Sequence, residues 1–135
     1  VEILEQRFPV MLKHFAIRRH SGGEGKHSGG DGIERHIEFL KPMCATIISG
    51  HREVPTFGMN GGEAGKVGMN YVQRFTLDDH GNPVPKLEFL KGCTDIKMNK
   101  GDVFCIHTPG GGGYGCKPQK IWEQIKINSG CHNSY

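Results

Sequence analysis

The chain has 135 residues, of which 36% are apolar, 23% are charged and 21 are glycine. That length fits one domain with a modest core, and no apolar run nears the roughly 20 residues of a membrane-spanning helix. Basic residues number 17 against 14 acidic, a net charge of +3. The signs are interspersed and no Lys/Arg run exceeds Arg18-Arg19, which excludes a basic stripe for nucleic acid.

Residues 2–8 carry a short apolar period that Pro9 must stop, because proline disfavours helix in the residue before it. A ragged strand follows over Pro9–Arg18. Ser21–Gly32 is a first glycine block, with Ser-Gly-Gly-acid-Gly repeated seven residues apart. Ile33–Leu40 and Cys44–Ser49 read as strands, closed by Lys41-Pro42 and Gly50. A second glycine block spans Pro55–Asn70. Tyr71–Leu77 reads as a strand, residues 78–83 as turn chemistry, and Val84–Leu90 and Asp95–Met98 as further strands. Asn99-Lys100-Gly101-Asp102 has the composition of a hairpin turn into a strand over Val103–Thr108. The third glycine block, Thr108–Gly115, follows at once. Gln119–Ile127 carries the remaining helical period. Six to eight short strands with little helix predict a mainly β fold. The expectation is one glycine-rich domain of short strands, barrel- or sandwich-like, with short terminal helices.

Five cysteines (Cys44, Cys93, Cys105, Cys116, Cys131) form an odd set without regular spacing, unlike a disulfide framework. Reduced thiols in a cytoplasmic setting are expected, with Cys44 and Cys105 serving as small buried hydrophobes in apolar runs. The eight histidines are scattered, with no H-E-x-x-H and no cysteine pair at zinc spacing, so no metal site is expected. The start at Val1 suggests a processed product or a piece of something longer.

Glycine blocks have three physical uses: cradling an anion with backbone N–H groups, close approach of chain segments, and flexible linkage. No phosphate-loop motif is present. Gly110, Gly112 and Gly115 match G-x-G-x-x-G, but Lys117-Pro118 blocks the helix that a dinucleotide site requires. Arg18, Arg35 and Arg52 each border a glycine block. With the N–H groups of Ser21, Gly22 and Gly23 they are candidates for an anion site, as in a small anion-binding protein. Ordered, close-packed glycines at Gly110–Gly113 are expected after the strand at Val103–Thr108, with Tyr114 as a buried anchor.

The order of these blocks resembles the C-terminal part of the hydantoinase B/oxoprolinase family. The likeness runs from Leu4-Glu5-Gln6-Arg7-Phe8-Pro9 through Ser21–Gly25 and Gly29-Gly30-Asp31-Gly32. It continues in Phe57-Gly58-Met59-Asn60-Gly61-Gly62-Glu63 and closes on Thr108-Pro109-Gly110-Gly111-Gly112-Gly113-Tyr114-Gly115. Two departures stand out: Ser28 replaces the arginine usual before Gly29-Gly30, and residues 117–135 form a divergent tail. The division expected is therefore 1–116 and 117–135. In look the chain is closest to the ATP-dependent 5-oxoprolinases.

The resemblance implies a parent enzyme that opens 5-oxo-L-proline to L-glutamate with ATP, as in glutathione metabolism. ATP and a divalent metal would then belong to hydantoinase A-like and earlier B-like parts, the partners expected here, and this chain alone would hold no cofactor and show no turnover. Substrate-side candidates carried by the motifs are Asn60, Gly61, Gly62, Thr108, Gly110, Gly111, Gly112, Gly113 and Tyr114. The alternative is a non-enzymatic β module that docks on a partner subunit, with self-association a further option and neither nucleic acid nor membrane involved.

Overall fold

The computed structural model describes residues 2–77, 80 and 82–117. A one-and-a-half-turn helix, α1 (Glu2–Arg7), carries Glu2 and Glu5 in its first turn and stops before Pro9. Seven strands follow: β1 (Val10–Arg18), β2 (Gly32–Phe39), β3 (Met43–Ile48), β4 (Met69–Leu77), β5 (Pro83–Leu90), β6 (Cys93–Met98) and β7 (Val103–His107). Each expected strand is present within two residues of its predicted ends. The predicted helix at Gln119–Ile127 lies outside the described residues.

The strands form an antiparallel five-stranded sheet in the order β1-β2-β7-β4-β5 and a two-stranded sheet, β3-β6. The two sheets pack face to face without closing into a barrel, so the sandwich-like option holds. Their shared core is Val10, Phe39, Val72 and Phe104 from the larger sheet against Ile47, Ile96 and Met98 from the smaller. Leu4 of α1 packs on the same cluster.

The Asn99–Asp102 turn departs from expectation. It is tight, with Gly101 at φ 89°, but β6 pairs with β3 while β7 pairs with β2 and β4. The chain changes sheets here because the turn is tied elsewhere. Gly101 donates to the Phe39 carbonyl at 2.7 Å and Phe39 to the Asp102 carbonyl at 2.9 Å. The Asp102 carboxylate accepts from Asn99 N–H at 2.8 Å and pairs with Arg74.

Register places the three glycine blocks together. Arg18 lies opposite Gly32, and Glu34, His107 and Met69 lie side by side across β2, β7 and β4. The end of β1, the start of β2, the end of β7 and the start of β4 therefore meet at one end of the larger sheet. Block one joins the first pair, block two leads into β4 and block three leaves β7.

Candidate functional site

At that sheet end the three blocks interleave as extended segments held by backbone hydrogen bonds. Gly23 donates to Gly111 O (2.8 Å), Gly111 to Gly30 O (2.8 Å) and Gly29 to Gly23 O (2.8 Å). Gly110 donates to Lys66 O (3.0 Å), Lys66 to Ser21 O (2.8 Å) and Gly113 to Glu63 O (2.8 Å). His27 and Tyr114 exchange both of their backbone bonds, at 2.9 and 2.8 Å.

Glycine is required here by distance rather than by conformation. Among the described glycines, only Gly61, Gly101 and Gly115 have positive φ. A Cβ on Gly110 would overlap the Ser21 carbonyl, one on Gly112 the Phe57 carbonyl, and one on Gly29 the Gly111 carbonyl. The segments lie closer than any side chain permits, which is how a segment of four glycines can repay the entropy of fixing it.

The sequence-predicted candidates fall into distinct places. Ser21 is fully buried; its N–H donates to Asp31 Oδ1 at 2.8 Å and its Oγ accepts from Gly32 N–H at 2.7 Å. Gly22 also donates to Asp31 Oδ1 at 2.8 Å. An internal carboxylate thus occupies the concave row of N–H groups at His20–Gly22, where His20 has φ 61°. Those bonds, the one from Gly22 foremost, hold the Asp31 carboxyl below the usual carboxylate range.

Arg18 crosses Gly32 to donate to Val67 O (2.7 Å) and Thr108 O (3.1 Å). Arg52 donates to the buried Asn70 Oδ1 (3.0 and 3.3 Å) and to Gly50 O (2.6 Å); burial, then the charge of Arg18, pushes its pKa down. Arg35 lies within β2, on the sheet face turned to the core, and its Nε is buried without a hydrogen-bond partner among the described residues. Arg18 and Arg52 are thus within electrostatic reach of each other, whereas Arg35 sits apart on the core face of β2. Thr108 Oγ1 accepts from Ile33 N–H at 2.7 Å. Asn60 (φ 49°) donates to the Tyr114 hydroxyl, with Gly61 (φ 84°) and Gly62 completing its turn. Tyr114 itself is 48% exposed, so the expected burial of its ring does not occur. Its backbone, not its ring, is the anchor.

A cavity of about 570 Å³ opens beside this lattice, lined by His20, Gly22, Gly23, Glu24, Ser28, Gly29, Asp31, Glu63, Ala64 and Lys66. The sequence motifs point to its Gly22-Gly23 edge. They do not single out Glu24, Asp31, Glu63 or Lys66, although an acid inside each Gly-Gly-acid motif is a readable signal. Glu24 pairs with Lys117. The lining carries both signs, with Lys66 and His20 beside Glu24, Asp31 and Glu63, and two of its carboxylates are already engaged, Glu24 by Lys117 and Asp31 by backbone N–H groups.

The outer face of the larger sheet holds a second cluster. One row crosses all five strands as His14, His36, Cys105, Tyr71 and Phe89. His36 Nε2 and His107 Nε2 are 3.2 Å apart, with the rings nearly parallel at 8°, and the Tyr71 hydroxyl is 3.4 Å from His107 Nε2. Burial lowers the pKa of both histidines, His14 adding to the effect, and pushes Tyr71 up to about 12. Burial also raises that of Cys105. Cys105 is fully buried as expected, whereas Cys44 is exposed, because the inward positions of β3 are Ala45 and Ile47. Cys44, Cys93, Cys105 and Cys116 are free. No group of three or more His, Cys, Asp or Glu side chains is placed to hold a metal among the described residues, and no described helix is long and apolar enough to cross a membrane.

The hydantoinase B/oxoprolinase sequence profile matches residues 1–117. An uncharacterised protein of Schizosaccharomyces pombe is 46% identical over 115 residues, which are 84% of this chain and 9% of that protein. 5-Oxoprolinase 1 of Arabidopsis thaliana is 43% identical and 5-oxoprolinase of Saccharomyces cerevisiae 41%, each over 84% of this chain and 8% of its own length. The chain therefore spans about a tenth of the length of these relatives. With a match over nearly the whole described region and identities above 40%, it belongs to the hydantoinase B/oxoprolinase family.

Proposed function

We propose that this chain is the C-terminal β-rich segment of an ATP-dependent 5-oxoprolinase-like enzyme, and that it catalyses nothing alone. The observation that carries the reading is its likeness to proteins named 5-oxoprolinase at 41–43% identity, in which it spans only 8% of the length. ATP and a divalent metal are assigned to the other parts of that enzyme.

In this reading the glycine lattice forms a rigid wall of the active site. The wall presents the cavity edge near Ser21–Gly23 and the turn Asn60-Gly61-Gly62 beside Tyr114, with Thr108 and Gly110–Gly113 as its backing strand. Residues 117–135 are a divergent tail, and the setting is cytoplasmic. The test is an assay of the 135-residue chain with ATP, magnesium and 5-oxoproline. No glutamate above blank is expected; sustained turnover would overturn the division of labour.

A further inference from the structure

Strands β4 and β5 form a hairpin that reaches beyond the rest of the sheet. β7 pairs with Met69–Gln73 of β4, so among the described residues the segments Arg74–Leu77 and Pro83–Lys86 pair only with each other. Register sorts the side chains of this arm onto two faces. Towards the domain core lie Arg74, Thr76, Val84, Lys86 and Glu88, with an Arg74–Glu88 ion pair at 3.0 Å. On the opposite face Tyr71 lies across from Phe89, Gln73 from Leu87, Phe75 from Pro85 and Leu77 from Pro83. The arm is thus amphipathic with its apolar side turned away from the core that the chain itself possesses.

That side is bare. Phe75 is 55% exposed, Leu77 73%, Leu87 51% and Phe89 68%. Four large apolar side chains on one contiguous face mark an interaction surface rather than scattered exposure. An isolated two-stranded hairpin is marginal in water, so the overhanging half needs a covering layer. Two prolines weaken the free edge of β5 as a strand-pairing site. Pro83 and Pro85 share one parity and have no N–H to offer an added strand.

We infer that this apolar hairpin face is an interdomain contact, covered by an apolar surface of the same polypeptide that lies outside this chain. The inference rests on the family reading above, in which about nine-tenths of the relatives' length lies elsewhere. A tethered partner faces the patch at high effective concentration and so outcompetes a second copy.

The test compares two proteins, this 135-residue chain and a complete polypeptide carrying it. Phe89→Cys and, separately, Leu87→Cys are exposed to a bulky thiol reagent, and modification is followed peptide by peptide to separate the native cysteines. Lys86→Cys reports the opposite face. At least a tenfold slowing of labelling at positions 89 and 87 is expected in the complete polypeptide, with the Lys86→Cys rate unchanged and the short chain monomeric by light scattering. Equal rates at 87 and 89 in both proteins would overturn the inference. So would a dimeric short chain in which the introduced thiols are already protected, which assigns the face to a second copy. Because the readout is accessibility, it is independent of whether the complete polypeptide acts on 5-oxoproline.

Discussion

Gly110 approaches Ser21 so closely that a Cβ on the glycine would overlap the Ser21 carbonyl. The same holds for Gly112 against Phe57, whereas a Cβ on Gly30 would meet nothing within 4 Å. Gly110→Ala and Gly112→Ala are therefore expected to destabilise the domain by roughly 3 kcal/mol or more, since backbone must move to admit the methyl group. Gly30→Ala should stay within about 0.5 kcal/mol of the parent sequence or gain slightly from a stiffer unfolded chain. Urea midpoints for the three variants check this. Equal midpoints would mean that close approach is not what selects glycine here.

Asp31 fills the row of N–H groups at His20, Ser21 and Gly22. Its folded pKa lies below its ordinary value, so its contribution is present above the unfolded pKa and is lost as pH falls through the folded one. Asp31→Ala should lower stability at neutral pH, and the gap from the parent sequence should close in acid. Thermal unfolding at neutral pH and in acid measures the gap; a constant difference would refute the assignment.

The histidines of the outer face titrate in the other window. His36 and His107 both have lowered folded pKa values, with burial the main cause. The groups around them are His14, Glu34, Arg18, Tyr71 and Cys105, of which Glu34 opposes the shift. The unfolded chain then binds more protons just below the ordinary histidine pKa of about 6.5. Stability should be full above that value and fall as pH drops towards the folded pKa. His36→Gln should flatten this decline between about pH 5 and 7. A decline of unchanged slope would exclude the pair as its source.

Asp102 is nearly buried, at 6% exposure, and pairs with Arg74 while accepting Asn99 N–H. Asp102→Ala leaves the Asn99 N–H without its acceptor and Arg74 with only Glu88 and the Lys97 carbonyl, and should cost roughly 1–3 kcal/mol. Asp102→Asn, which can still accept from Asn99, should cost less. Denaturant unfolding ranks the two.

Strand content was legible because turn chemistry punctuates alternating segments: Pro9, Lys41-Pro42, Gly50 and Asn99–Asp102 all fall at element ends. Pairing was less so. The Asn99–Asp102 turn has hairpin composition, yet its bonds to Phe39 and Arg74 send β7 into the other sheet. The glycine motifs marked the segments that interleave, but whether their N–H groups face an anion or Asp31 depends on three-dimensional approach. His36 and His107 are 71 residues apart, and no local spacing announces their meeting. Cys44 shows the limit of composition: Cys44–Ile48 has no clear alternation, and only the packing of β3 on the core fixes which residues point inward.

If this domain is one structural part of a 5-oxoprolinase-like enzyme, activity of the whole must depend on the glycine lattice. Glutamate formation from 5-oxoproline and ATP by a complete polypeptide decides this, with the lattice intact and with Gly112→Ala. Turnover by the intact polypeptide, its sharp loss in Gly112→Ala and its retention in Gly30→Ala are the expected result. An intact polypeptide that is folded and hydrolyses no ATP with 5-oxoproline, or a Gly112→Ala variant as active as the parent, would contradict it.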